Sequence, residues 1–92
     1  MESRIPLIAG NWKMFKTGSQ AVETAEQLIR LTEKMANERE AMIAPPFTAL
    51  SLVSETLKGS RVSLGAQNFF WETEGAYTGE VSSAMLVSAG CK

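Results

Sequence analysis

Short apolar runs alternate in this chain with stretches whose apolar residues recur every three or four positions, and that alternation constrains the fold most. Ile5-Pro6-Leu7-Ile8-Ala9-Gly10 is a continuous apolar run, the pattern of a strand covered on both faces. Pro6 stands near its beginning, where a missing backbone donor is tolerated. After Gly18 the period changes. Val22, Ala25, Leu28, Ile29, Thr32 and Met35 are separated by Glu23, Glu26, Arg30, Glu33 and Lys34, which predicts an amphipathic helix with Ser19 as its N-cap. Met42-Ile43-Ala44 is a second apolar run, stopped by Pro45-Pro46. Phe47-Thr48 opens a second helical pattern with Leu50, Val53 and Leu57 on one face and Gly59 as its stop. Arg61 to Gln67 is expected to be a third strand and Asn68 to Glu80 a long loop. Ser82 or Ser83 is placed to cap a third helix that ends at Ala89-Gly90.

The order β-α-β-α-β-loop-α predicts an α/β fold built from right-handed βαβ units on a parallel sheet. A doubly wound open sheet and a piece of a (β/α)8 barrel both fit. No linker or low-complexity tract divides the 92 residues, so one domain is expected. The chain stops at Cys91-Lys92, where a fourth strand is expected to begin, so a truncated barrel or sheet with open edges is anticipated. Such a piece is expected to be marginally stable by itself.

Charge and composition remove several function classes. Nine Lys and Arg face ten Glu, for a net charge of −1, which lacks the basic field of a nucleic-acid binder. There is no Asp and no His, so the commonest general acid–base and metal-ligating side chain is missing. The single cysteine, Cys91, cannot close an internal disulfide, and no apolar run approaches the length of a signal core or membrane span. A soluble protein of a reducing compartment, with no membrane partner, is expected. Phosphate-loop, dinucleotide, paired-cysteine and zinc-protease motifs are all absent, and no metal site is predicted.

The chemistry is expected at Gly10-Asn11-Trp12-Lys13-Met14, where the first strand ends. Ligand mouths of parallel α/β folds form at the C-terminal ends of strands. Alternation along a strand directs Asn11 and Lys13 to one face and Trp12 to the other. A lysine there supplies a positive charge for an anion, and the amide beside it can hydrogen-bond a carbonyl or hydroxyl. The pair alone would suit many small anions, and it also fits a solvated loop lysine beside a turn asparagine. The Asn68–Glu80 loop holds Phe69, Phe70, Trp71 and Tyr77, four of the seven aromatic residues. A loop so rich in apolar rings either folds over its own core or meets a partner.

Four segments in order carry a resemblance. Gly10-Asn11-Trp12-Lys13-Met14, Ala44-Pro45-Pro46-Phe47, Gly65-Ala66-Gln67-Asn68 and Gly75 to Ser82 resemble the first-, second- and third-strand and third-loop motifs of triosephosphate isomerases. The resemblance implies a partial TIM barrel: residues 1–92 would be the N-terminal part of a single barrel domain, three βα units long. It implies an isomerase of glycolysis and gluconeogenesis in the cytoplasm. The reaction would interconvert dihydroxyacetone phosphate and D-glyceraldehyde 3-phosphate through an enediolate, with no cofactor. Lys13 would be the electrostatic catalytic residue, with Asn11, Trp12 and Lys13 forming the substrate-binding segment. The third loop, residues 69–80, would insert into a second copy of the chain and make a homodimer. Met14, Tyr77, Thr78, Gly79 and Glu80 would lie at that interface, with Thr78 reaching the neighbour's site.

The same resemblance marks what is absent here. The family's catalytic His, Glu base and phosphate-binding loops belong to later strands, and this sequence has no His to stand in. Glu72, Glu74 and Glu80 are expected to be solvated or interface carboxylates, and Cys91 a buried or incidental thiol. The 92 residues alone are therefore predicted to be inactive. A non-catalytic fragment or assembly module is the alternative reading, and a free-standing phosphate-binding domain has only Lys13 in its favour.

Overall fold

The computed structural model describes residues 4–92. Strand β1 (Leu7–Asn11) is followed by helix α1 (Gly18–Thr32), strand β2 (Glu40–Ala44), helix α2 (Leu50–Leu57), strand β3 (Val62–Leu64) and helix α3 (Ser83–Ser88). A 3-10 turn over Phe47–Ala49 leads into α2. The sheet is parallel in the order β1-β2-β3, with Ile8 opposite Ala41, Gly10 opposite Ile43, and Ile43 opposite Leu64. The βαβ order expected from the periodicity is thus present on a three-stranded parallel sheet.

The register explains the core. Ala41, Ile43, Val62 and Leu64 share one face and are all buried. Against that face pack Ala21 and Ala25 of α1, Leu50, Val53 and Leu57 of α2, and Leu86 of α3. The small side chains of Ala21 and Ala25 let α1 sit close, and both are fully buried. On the opposite face, the Met42 side chain lies over Gly65 and would have to turn aside for a larger residue there.

β1 departs from expectation. It is not covered on both faces: Leu7 and Ile8, which point to opposite sides, are each 57% exposed. Helix α1 lies against α2 and leans toward β3, so the outer flank of β1 stays open. A groove of about 250 Å³ runs there, lined by Ile8, Gly10, Trp12, Leu28, Met35 and Ile43 among others. On the other edge the chain returns. Alternation turns the Leu64 carbonyl away from β2, and the Lys92 N–H donates to it at 3.0 Å.

Helix ends show a second departure. The N-cap of α1 is Thr17 and not Ser19; the Thr17 N–H donates to Gln20 Oε1 at 3.0 Å in a capping box. Ser19 lies inside the first turn. At the other end, Thr32 Oγ1 turns back to the Leu28 and Ile29 carbonyls. The Arg61 guanidinium then takes the carbonyls of Thr32, Met35, Ala36 and Arg39, which closes the turn after α1. Of the two serines proposed for α3, Ser82 is the cap, accepting from the Met85 N–H at 3.3 Å. The third strand is shorter than Arg61–Gln67, because beyond Leu64 the chain leaves the ladder after one further bond from the Gly65 N–H to the Ile43 carbonyl.

Candidate functional site

The C-terminal ends of the three strands converge on one backbone lattice. The Trp12 N–H donates to the Ala44 carbonyl at 3.1 Å, which extends the β1–β2 pairing by one bond. Gln67, just past β3, sends its amide nitrogen to two acceptors at 2.8 Å each, the Ala44 carbonyl and the Lys13 carbonyl. One side chain therefore ties the ends of β1 and β2 to the exit of β3.

Asn11, Trp12 and Lys13 come together at this mouth, although not as the strand period predicts. Asn11 closes β1 on the face away from the helices, and Trp12 is half-buried against the core between sheet and helices. Lys13 has already left the strand. Its φ of 55° lies in the left-handed region, so alternation no longer sets its direction. Instead, Asn11 Oδ1 accepts the Lys13 N–H at 2.8 Å and bends the chain into a tight side-chain-to-backbone turn. Among the described residues Asn11 Nδ2 has no hydrogen-bond partner, and Asn11 and Lys13 are both open to solvent.

Electrostatically the site is one unpaired cation. Among the described residues the one ion pair joins Lys58 to Glu55, so no carboxylate neutralises the Lys13 ammonium. Glu72, Glu74 and Glu80 line a separate small hollow under Phe70 and Tyr77. No cluster of metal-ligating side chains occurs among the described residues. The Cys91 thiol, buried beneath α3, has its pKa raised by that burial and takes no part at the mouth. An arrangement of a free ammonium and a free carboxamide hydrogen can hold an anion or a carbonyl oxygen.

A hollow of about 300 Å³ opens beside Lys13, bounded by Met14, Pro46, Phe47, Gln67 and Asn68. Met14 is 93% exposed on its rim. The aromatic loop stands apart from its own core. Its base is closed by the Phe70 N–H to the Val81 carbonyl at 2.8 Å, and the Phe70 ring stacks on Trp71 at 4.3 Å and meets Tyr77 at a tilt, centroids 4.5 Å apart. Residues 71–80, including Tyr77, Thr78, Gly79 and Glu80, are all exposed. The loop does not fold over the core, as one of the two sequence expectations had it.

A model of the triosephosphate isomerase family matches residues 6–92. This chain belongs to that family. The triosephosphate isomerase of Geotalea uraniireducens is 54% identical over 88 residues, which cover 96% of this chain and 35% of that protein. The enzyme of Caldanaerobacter subterraneus is 51% identical over 87 residues, covering 95% and 34%. The crystal structure of triosephosphate isomerase from Bartonella henselae superposes with a TM-score of 0.80 at 37% identity, covering 96% of this chain and 35% of that one. The chain thus spans about 35% of the length of the triosephosphate isomerases it matches, from their N-terminal side.

Gln67 is the residue that reading the sequence for chemistry passed over. It stands in the Gly65-Ala66-Gln67-Asn68 segment, but its two acceptors are 54 and 23 residues away in sequence. No local spacing announces such a contact.

Proposed function

We propose that the full-length protein, of which these residues form the N-terminal part of one barrel domain, interconverts dihydroxyacetone phosphate and D-glyceraldehyde 3-phosphate. The setting is cytoplasmic glycolysis and gluconeogenesis, and the reaction needs no cofactor. The observation that carries the reading is Lys13, whose backbone N–H is held by Asn11 Oδ1 at the strand ends and whose ammonium has no ion-pair partner among the described residues. Lys13 faces the anionic groups of the substrate and the negative charge that develops on its oxygen as a proton leaves carbon. A fixed cation stabilises that charge more than the ground state, which is the condition for acceleration. Asn11 uses Oδ1 to hold the Lys13 backbone and offers Nδ2 to the substrate. Trp12 anchors the segment by packing its ring into the helix side.

Proton transfer belongs to the remaining two thirds of the protein, since these 92 residues contain no His and their loop carboxylates line another hollow. The isolated chain is expected to show no turnover. The full-length protein is a homodimer in this reading. Support comes from the exposed 71–80 loop and from the hollow beside Met14 and Phe47, which offers a second copy of the loop an apolar seat. Tyr77, Thr78, Gly79 and Glu80 supply the inserted tip, and Met14 lies on the receiving rim.

The test is a coupled assay of the full-length protein in both directions, with Lys13→Met beside it. Loss of one preorganised charge-stabilising group is expected to lower kcat by about 10²- to 10³-fold. No turnover by the unmodified protein would end the reading, and full-rate turnover by Lys13→Met would remove Lys13 from the catalytic site.

A further inference from the structure

The Lys13 backbone adopts a conformation that a long side chain resists, at φ 55°, and no strand ladder holds it there. Two side chains do. Asn11 Oδ1 takes the N–H of Lys13 and Gln67 Nε2 takes its carbonyl, both at 2.8 Å. The second hydrogen of the same Gln67 amide goes to the Ala44 carbonyl, which also accepts the Trp12 N–H. Both donor hydrogens of Gln67 are therefore spent on backbone oxygens from two different strand ends.

We infer that Gln67 is a positioning residue for the isomerase reaction: its amide locks the Lys13 peptide in the left-handed turn and so aims the ammonium at the substrate. The inference rests on the isomerase reading above. Gln67 lies beyond β3, is exposed, and belongs to no part of the buried core, so apolar packing does not account for its two bonds. Removing the donor frees the Lys13 carbonyl while leaving the N–H side tethered by Asn11. The turn then relaxes toward ordinary φ, and the Lys13 side chain loses the direction that the left-handed backbone gives it. Only a donor of this length does the work. A methionine matches its reach without a hydrogen to give, and an ionised glutamate presents oxygen to two oxygens.

Three variants of the full-length protein test this: Gln67→Met, Lys13→Met and the double variant, assayed above the concentration at which activity per subunit stops rising. Displacing a positioned group by about an ångström costs on the order of 10²-fold, so Gln67→Met is expected to lower kcat/KM by up to about that factor. In the Lys13→Met background the same substitution is expected to cost nothing further, because the group it positions is gone. An equal loss in both backgrounds, or no loss in the unmodified one, overturns the inference. Gln67→Glu supplies an independent readout, with activity relative to the unmodified protein rising as pH falls and the new carboxyl gains a proton to donate. Amide exchange at Trp12 and Lys13 separates this inference from the reading beneath it. No turnover in the unmodified protein would sink the isomerase reading, turnover intact in Lys13→Met would remove the ammonium that the clamp is said to aim, and unchanged exchange in Gln67→Met would sink the clamp whatever the kinetics.

Discussion

β1 and β2 are five-residue strands of similar apolar character, Leu-Ile-Ala-Gly-Asn and Glu-Ala-Met-Ile-Ala, yet their fates differ. In β2, Ala41, Ile43 and Ala44 are buried; in β1, with the larger aliphatic side chains, Leu7, Ile8 and Ala9 are exposed. Hydrophobicity does not separate them, and neighbours do. β2 has a strand on each side and its Ile43 packs among buried residues of α1 and α2, whereas β1 pairs on one side only. An apolar strand whose own chain leaves it open is a surface waiting for cover, and the groove of about 250 Å³ beside Ile8 and Trp12 is its measure.

The comparison is broken most directly by paired truncations in the 92-residue chain. Ile43→Ala removes a core side chain facing Val53 and Leu64 and is expected to cost about 2–5 kcal/mol. That is a large share of the few kcal/mol available to so small a domain. Ile8→Ala, on the open strand, is expected to stay within about 0.5–1 kcal/mol. Urea midpoints for the two variants decide it, and equal shifts would show that β1 is covered in solution. In the full-length protein the Ile8 cost is expected to climb into the Ile43 range, because the remaining barrel closes over β1.

Much of this was legible in advance, because it rests on local period. The βαβ order, the faces of both long helices and the helix stop near Gly59 follow from apolar spacing. What escaped depends on partners far along the chain. The exposure of β1 is a property of topology. The direction of Lys13 follows from an Asn11 turn and a Gln67 contact that replace the period-two rule one residue past the strand. The misplaced cap on α1 is a different lesson, since Thr17 followed by Gln20 is a capping-box spacing readable from the sequence itself.

The ends of α1 sharpen the contrast between well-tied and untied parts. Arg61 reaches four carbonyls in the segment that connects α1 to β2, so it stabilises the central strand from outside the core. Arg61→Met keeps much of the aliphatic stem but leaves those acceptors to water. A loss of about 1–3 kcal/mol is expected, read as a lower urea midpoint with faster amide exchange from Thr32 to Glu40. At the other end, Gln20→Ala removes one half of the capping box and is expected to cost about 0.5–1 kcal/mol, with fraying confined to the first turn. Disruption of β2 by Gln20→Ala but not by Arg61→Met would reverse this ranking.

The smallest effect concerns the edge opposite β1. There the chain's return covers β3: Cys91 is buried in the core and the Lys92 N–H meets the Leu64 carbonyl. Burial raises the Cys91 pKa, so the folded chain holds the thiol proton more tightly than the unfolded chain does. By linkage, this favours the folded state fully below the unfolded thiol value of about 8.5 and loses stability as pH rises through and above it. Urea midpoints between pH 7 and 10 are therefore expected to fall more steeply for the unmodified chain than for Cys91→Ala, whose overall midpoint is lower but whose slope lacks the thiol. Identical slopes would mean that Cys91 ionises as freely folded as unfolded, and that the edge of β3 is as open in solution as that of β1.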